Sequence, residues 1–569
     1  MDRRTTLAIT LFAALYFTWM TLRPAPEVPP EGEAPVVAPA AVPGAPAAPA
    51  PGAAPATAGA VAAVDVPFEA CGAVGTLNTR DGLRGLTLPE HEGALAVQPL
   101  YSWVFSLVAG PGGPWKPWGD PPGPEQVLTP QGRVLAVGAG PFATGPATLA
   151  VVSSKPGELV MEGRAGELDV RHSLTEVRDE AAGTCVIDVR TRWTNRGAVP
   201  VTEPLWVMAH DVLTPPGGSS MFGGYDSVTQ PLLHVDGALA YGNGEGAKVG
   251  GCMGVGGVEP EQPGAPVAIE GPVDWFGLGD RYFGFLIVPD TDGGVGHFST
   301  TSPPGQEQRV AGSHLSFMPT LAPGASHDAS MRAYVGPLKG NALTTVEPTL
   351  ANAVDLGFFA FFGYPLLWLL RIYYGLTANW GLAIILLTVT VKLLFFPMTQ
   401  SSFRSMQNMQ RIQPEMNRIK EQYADNPQEM NRLTMDLMIR EKVNPLSGCL
   451  PMLAQTPVWI ALYNVLLSSV DLYHTDFLYL RDLSAPDPYC VLPVLVIILM
   501  LVQQQFTNMS NMDPAQARLM KIMPLMFGVL FFTFPSGLAL YMFVNMLGSI
   551  LQQWWIKRSL GEYPAQAVM

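Results

Sequence analysis

The sequence predicts a membrane α-helical bundle carrying an exported all-β sandwich domain. Three observations predict it. Hydrophobic residues make up 48% of the 569 and charged residues only 14%, against about 25% charged in an average soluble domain. The long apolar runs gather after residue 350. The preceding interval is rich in Gly, Pro and short alternating segments, the pattern of many short strands.

From the N-terminus, Arg3 and Arg4 precede an uncharged apolar stretch, Thr5 to Leu22. At about 18 residues it can just cross about 30 Å of hydrocarbon as a helix. A cleaved signal peptide fits as well; an uncleaved anchor over 1–23, with the N-terminus in the cytoplasm, is favoured because the arginines stay on that side. Residues 24–67 are nearly all Pro and Ala, which cannot bury enough to offset ordering entropy and predict an extended tether.

Residues 68–345 read as the all-β domain. In Cys185-Val-Ile-Asp-Val-Arg-Thr-Arg-Trp193, one face takes Cys185, Ile187, Val189 and Trp193 and the other Asp188, Arg190 and Arg192. That period of two is a half-buried antiparallel strand. Arg281–Val288 and Met331–Val335 are further strands, and the length suits a large sandwich. Of the five cysteines, Cys71, Cys185 and Cys252 fall here, and the favoured reading is that they are small buried residues rather than a disulfide. His210, His234 and His314 lack metal spacing, Gly242-Asn-Gly-Glu-Gly246 lacks the strand-then-helix setting of a phosphate loop, and no catalytic motif occurs. No catalytic residue, metal or cofactor is expected. The net charge of -14 argues against nucleic acid as a partner.

The candidate spans are Asn379–Met398, Cys449–Val470, Tyr489–Phe506, Leu519–Pro535 and Leu538–Ile556. Leu356–Leu376 is equally apolar, but charge rejects it as a span. If it crossed, the loop with Arg404, Arg411, Arg418, Lys420, Arg432, Arg440 and Lys442 would lie outside, against the positive-inside rule. Laid flat as an interfacial helix over 346–378, it leaves that loop in the cytoplasm and the acidic loop with Asp471, Asp476, Asp482 and Asp487 outside. The chain then has six transmembrane helices, five of them in a core over 379–558, a short tail over 559–569 and both termini in the cytoplasm.

The cytoplasmic segment 401–445 predicts a helical hairpin. Met409, Ile412, Met416, Ile419 and Tyr423 alternate steps of three and four. Asn426-Pro427-Gln-Glu429 caps a second helix whose face carries Met430, Leu433 and Leu437, and Pro414 marks a kink. Such a Met-rich seam serves equally as the hairpin's own core or as a docking surface.

Within the spans, polar groups stand in the wrong solvent. A lysine at bilayer centre costs about 2.5–3.5 kcal/mol on the insertion scale, so Lys392 must snorkel or line a wet cavity. Thr388 lies one turn away on the same face, and Gln455, Gln504 and Asn545 come from other spans. Several polar side chains and no intramembrane carboxylate suit a hydrated, positively charged groove better than a proton relay.

These stretches also carry a resemblance. Asn379-Trp-Gly through Lys392, Asn444-Pro-Leu-Ser-Gly-Cys449-Leu-Pro, Gln455-Thr-Pro457, Asp482-Leu-Ser-Ala-Pro-Asp-Pro488 and Phe534-Pro-Ser-Gly-Leu538 with Tyr541 follow one another in order. Together they resemble the YidC/Oxa/Alb family of membrane protein insertases. Weaker likeness runs through the β domain, at Trp275 with Arg281-Tyr-Phe283, Leu321-Ala-Pro-Gly324 and Gly336-Pro337.

The resemblance implies a bacterial inner-membrane protein with a cytoplasm-open groove whose basic residue is Lys392, where many relatives have Arg. It implies a slide for the substrate's apolar segment at Pro457, Trp459, Phe531, Phe532 and Tyr541. Met542 departs from the aromatic that relatives often carry there. The partners implied are nascent membrane proteins, the Sec translocon, the ribosome and membrane lipids, and the β domain should be a supersandwich used for contacts. Two other classes compete. A secondary transporter would show internal repeats and broken helices, and a membrane-anchored carbohydrate-binding protein would leave the groove residues unexplained.

Overall fold

A computed structural model describes residues 63–560 except 93–123, 130, 132, 141–145, 180–183, 214–228, 243–246, 250–255, 259–265, 302–308, 355, 357–358, 424–425, 442–449, 506–527 and 529–530. The anchor Thr5–Leu22, nearly all of the Pro/Ala tract, Cys252, most of the Gly242–Gly246 turn and most of the span Leu519–Pro535 lie outside these residues.

Among the described residues, two antiparallel sheets of nine and eleven strands make the β domain. The first runs from Asp65–Ala70 at its edge through Gly82–Glu92, Arg133–Ala139, Leu205–Leu213 and Arg309–Phe317 to Val267–Ile269. The second runs from Gly256–Val258 through Val273–Gly279, Phe283–Pro289, Ser326–Pro337 and Thr184–Asn195 to Thr148–Lys155. Their inner faces share one core, with Leu83, Val134, Val207 and Leu315 from the first and Ile187, Val189, Trp193, Phe276 and Phe285 from the second. In Thr184–Asn195 the expected alternation holds: Ile187, Val189 and Trp193 are buried, and Arg190 and Arg192 are exposed. Phe283–Pro289 instead buries six successive residues, because its neighbours cover both of its faces, Leu286 and Val288 packing with Trp275, Leu343 and Leu350 on the far side.

The cysteines correct the sequence reading. Cys71 and Cys185 form a disulfide across 114 residues, with their Cα atoms 5.4 Å apart. Cys71 sits in the turn between two edge strands and Cys185 in the other sheet, so the bond ties the two sheets together. Only the packing of one sheet on the other brings the residues close. The sulfurs and Glu176 form the grouping of metal-type donors among the described residues, and the disulfide consumes both thiols. His210, His297 and His314 do gather on one sheet, His297 stacked on His314 at 4.7 Å and His210 at 6.3 Å, since adjacent strands bring together what sequence spacing separates.

A short helix α1 (Gly340–Val346) and a 3-10 turn (Pro348–Ala353) follow the last strand and pack beneath Trp275, whose indole donates to Thr349 O at 3.1 Å. Helix α2 (Ala360–Thr377) buries Gly363, Leu366 and Leu370 and exposes Phe361, Tyr364, Trp368 and Leu376. It ends at Ala378 in the left-handed conformation, whose N–H closes onto Tyr374 O.

Asn379 then caps α3, accepting from Leu382 N at 3.0 Å. α3 runs as one helix from Trp380 to Gln422 through Pro397 and through Pro414, the site of the expected kink. The membrane span and the first arm of the hairpin are one rod of 43 residues. Among the described helices its Trp380–Ser402 segment, with mean hydropathy 2.1, is the one long and apolar enough to cross a membrane.

Helix α4 (Pro427–Arg440) begins as the sequence predicts, with Asn426 Oδ1 accepting from Glu429 N and Pro427 at the first position. It folds back on α3 through a small core of Ile412 and Leu437 with Met416, Ile419 and Met438. Helices α5 (Leu450–Ser468), α6 (Val491–Gln505) and α7 (Ser536–Leu560) complete the described bundle. Its core joins Leu387 and Val391 to Leu462, Val465, Val496, Leu538 and Tyr541.

Candidate functional site: a lysine-centred polar chain between three helices

Lys392 lies on the buried side of α3, and its stem runs along Gly548 of α7. A Cβ built there would touch its Cγ, Cδ and Cε at 3.8 Å, ordinary contact. The ammonium donates to Ser549 Oγ at 2.5 Å, and Ser549 donates to Asn545 O at 3.0 Å. Asn545 Oδ1 accepts from Gln455 Nε2 on α5 at 3.5 Å. Polar groups from α3, α7 and α5 thus form one chain inside an otherwise apolar bundle. Leu393 and Leu394, next to Lys392, are 66% and 73% exposed, so one turn of α3 presents a cation to the bundle and bare leucine on its outer face.

The other expected groove residues sit differently. Thr388 is buried, but its hydroxyl donates back to Ile384 O at 2.6 Å, a bond inside its own helix rather than a group offered to a cavity. Gln504 is half-buried in the last turn of α6. Tyr541, expected on the slide, is instead 1% exposed within the bundle core.

Sequence reasoning missed Gly548, Ser549 and Gln552, the last reaching Phe396 O of α3 at 3.4 Å. A signal was there to find. Asn545, Ser549 and Gln552 recur at i, i+4 and i+7, a polar stripe on one face of an apolar helix.

Of the expected slide residues, Trp459 and Phe531 are linked through the intervening rings of Tyr463 and Phe534. Trp459 and Tyr463 of α5, Phe534 and Phe531 form a run of rings with successive centroids 6.4, 5.7 and 5.4 Å apart. Phe531 is buried, Phe532 and Pro457 half-buried. Met542, the departure noted above, accepts the Trp459 indole N–H on its sulfur at 3.2 Å, so a polarizable thioether fills the aromatic's place. In the hairpin, Leu437 is buried, Met416 and Met430 are half-buried and Tyr423 is exposed. Part of the seam is therefore spent on the hairpin's own core. The Met409 side chain lies outside the description.

On the side facing the β domain, residues 469–490 close the bundle. Asp482 is buried and accepts from Ser484 Oγ and N at 2.6 and 2.8 Å. Ser536 Oγ donates to Asp482 O, and Ser536 N and Gly537 N donate to Ala485 O and Leu483 O. Asp487 accepts from Tyr479 OH, Tyr489 N and Leu492 N, capping α6. The matched motif Asp482–Pro488 is thus a turn stitched to the start of α7. Asp471 takes Arg371 of α2 at 2.9 Å and Lys339 of the β domain at 3.3 Å. Tyr473 OH donates to Glu125 at 2.9 Å, and burial pushes the Glu125 carboxyl up to about 7 despite that bond.

Comparison with known proteins supplies the family. A family described as 60Kd inner membrane protein matches residues 372–562, and one described as YidC periplasmic domain matches 258–369. The chain is 44% identical over 286 residues to a membrane protein insertase YidC of Methylobacillus flagellatus, covering 50% of this chain and 51% of that protein. It is 37% identical over 397 residues to one from Cupriavidus necator, covering 68% of this chain and 66% of that one. The match thus spans about half the length of the first of these relatives and about two thirds of the second. A crystal structure of an active YidC insertase aligns over 87% of the chain at 17% identity, with a TM-score of 0.34. The two family matches, together with these insertase relatives, carry the conclusion that the chain belongs to the YidC family of 60Kd inner membrane proteins.

Proposed function

We propose that this chain inserts membrane proteins into the bacterial inner membrane and helps them fold, without a chemical step of its own. Desolvation supplies the physical reason. A hydrophilic tail crossing bare hydrocarbon must shed water from each peptide group, at several kcal/mol per unsatisfied group. A hydrated groove reaching part-way into the bilayer shortens that dry path, and a spanning helix in lipid is the downhill product. Lys392 would meet an acidic tail there, and the rings from Trp459 to Phe531 would give its apolar segment a surface to follow. The substrates are nascent membrane proteins, delivered by the ribosome alone or beside the Sec translocon.

The layout proposed with this function has six spans, both termini in the cytoplasm and the β domain in the periplasm. The position of α2 supports it. Gly363 packs against Val465, and Arg371 pairs with Asp471, which also holds Lys339 of the β domain. Both halves of α2 therefore stay beside the β-domain end of α5, as an interfacial helix does.

The observation that carries the function is Lys392 on an apolar helix, joined to Ser549, Asn545 and Gln455. The test is reconstitution of purified variants in liposomes, scored by protease protection of matched acidic and neutral tails. Lys392→Arg retains insertion; Lys392→Glu impairs it, most for the acidic tail. Equal protection of the acidic tail by folded wild type and Lys392→Glu removes the charge from the mechanism.

A further inference from the structure

A cavity of about 500 Å³ lies where the β domain meets the start of α3 and the closing loop, within the range of roughly 300–1,000 Å³ typical of small-ligand sites. Its walls are aromatic. Tyr374 stacks on Trp380 at 4.1 Å with an 11° interplanar angle, and Tyr473 meets Phe283 edge-on at 5.7 Å.

Its charge is divided. The Asp471 carboxylate, 5% exposed, is shared by Lys339 and Arg371, so two cations answer one anion at that wall. Lys339 remains 54% exposed, with two further donor positions on its ammonium. Glu90 supplies a carboxylate elsewhere in the lining, is exposed, and pairs with no cation among the described residues. Positive charge is thus in surplus at the Lys339 wall and negative charge at Glu90.

We propose that this cavity holds the headgroup of a phosphoethanolamine lipid from the outer leaflet. The phosphate meets Lys339, and the ammonium meets Glu90 and the ring faces, which attract cations when desolvated. The location suits a lipid. The Tyr374–Trp380 stack stands at the turn from α2 into the span, where aromatic side chains lie at headgroup depth. Leu376, 75% exposed on the same turn, offers an apolar surface to an acyl chain. An anionic glycerol headgroup would satisfy Lys339 but leave Glu90 facing a like charge. The inference rests on the proposed layout, in which this junction lies at the outer face.

The test uses the full chain, delipidated in detergent and titrated with dioleoyl phosphatidylethanolamine or dioleoyl phosphatidylglycerol, with bound lipid counted by native mass spectrometry. Wild type retains the ethanolamine lipid about tenfold more tightly than the glycerol lipid. Glu90→Gln, an exposed change that breaks no described ion pair, removes most of that preference, and Lys339→Ala weakens both lipids. Equal retention of the two lipids by wild type, or a preference unchanged in Glu90→Gln, overturns the proposal. Displacement by soluble phosphoethanolamine at the lipid's own concentration overturns it in favour of a free phosphate ester. The layout has a separate test, cysteine labelling at position 481; correct labelling with no lipid preference sinks this site alone.

Discussion

Gly381 stands in the first turn of α3 with the Phe477 ring of the closing loop against it. A Cβ at this position would fall well inside van der Waals contact of three ring carbons. The ring has little freedom to retreat: Phe477 is 7% exposed, and its backbone is held by a reciprocal pair of hydrogen bonds with Leu480 at 2.8 and 3.0 Å. Gly381→Ala therefore overpacks the seam at a cost of about 1–3 kcal/mol, larger than the gain of about 0.5–1 kcal/mol from replacing glycine inside a helix. Phe477→Ala alone leaves a cavity and costs about 3–5 kcal/mol. In the double variant the added methyl has room, so its cost is close to that of Phe477→Ala alone, and the two changes couple favourably by about 1–3 kcal/mol. The measurement is equilibrium unfolding of the full chain in mixed micelles, run as a double-mutant cycle. Additivity within about 0.5 kcal/mol would refute the contact and with it the fit of the closing loop on α3.

Other predictions follow from the β domain and the layout. His172 and His210 are wholly buried, and burial depresses their folded-state values to about 4 and about 3. The unfolded chain takes up these protons near 6.5, so stability is full at neutral pH and falls below it by about 1.4 kcal/mol per pH unit per histidine. Melting temperatures of the full chain from pH 7 to pH 5 should decline, less steeply in His210→Asn; a flat profile refutes this. Reducing Cys71–Cys185, or replacing Cys71 with Ala, should cost about 2–5 kcal/mol, with denaturant unfolding of the two preparations agreeing. Indifference of wild type to reductant would mean the bond is not formed. In a background lacking native cysteines, position 425 should label only from the cytoplasm and position 481 only from outside. Labelling of 425 from outside restores Leu356–Leu376 as a span and ends the proposed layout.

Periodicity and charge alone made much of this protein legible. The alternation at Cys185–Trp193, the cap at Asn426-Pro427, the apolar run through Lys392 and the order of the motifs depend on neighbours a few residues apart. Those local interactions are written in the chain itself, and they sufficed for element type, for the membrane class and for the family resemblance. Continuous apolar runs told less. Arg281–Val288 was legible as a strand, but its burial on both faces shows only in the packing around Phe283–Pro289.

What only the tertiary structure decided is pairing across distance. The Cys71–Cys185 bond depends on how the two sheets face each other, because any two of the cysteines could pair on composition alone. The sequence predicts a kink at Pro414, yet the helical hydrogen bonding of α3 continues through both Pro397 and Pro414, since packing along a long helix offsets the few kcal/mol each proline costs. The partner of Lys392 was equally hidden. Its ammonium reaches Ser549, 157 residues away, because α3 and α7 lie side by side. Thr388, adjacent to Lys392 on a helical wheel, turns its hydroxyl to its own backbone instead. A residue type states what a side chain can bond; the packing of distant helices decides what it does bond.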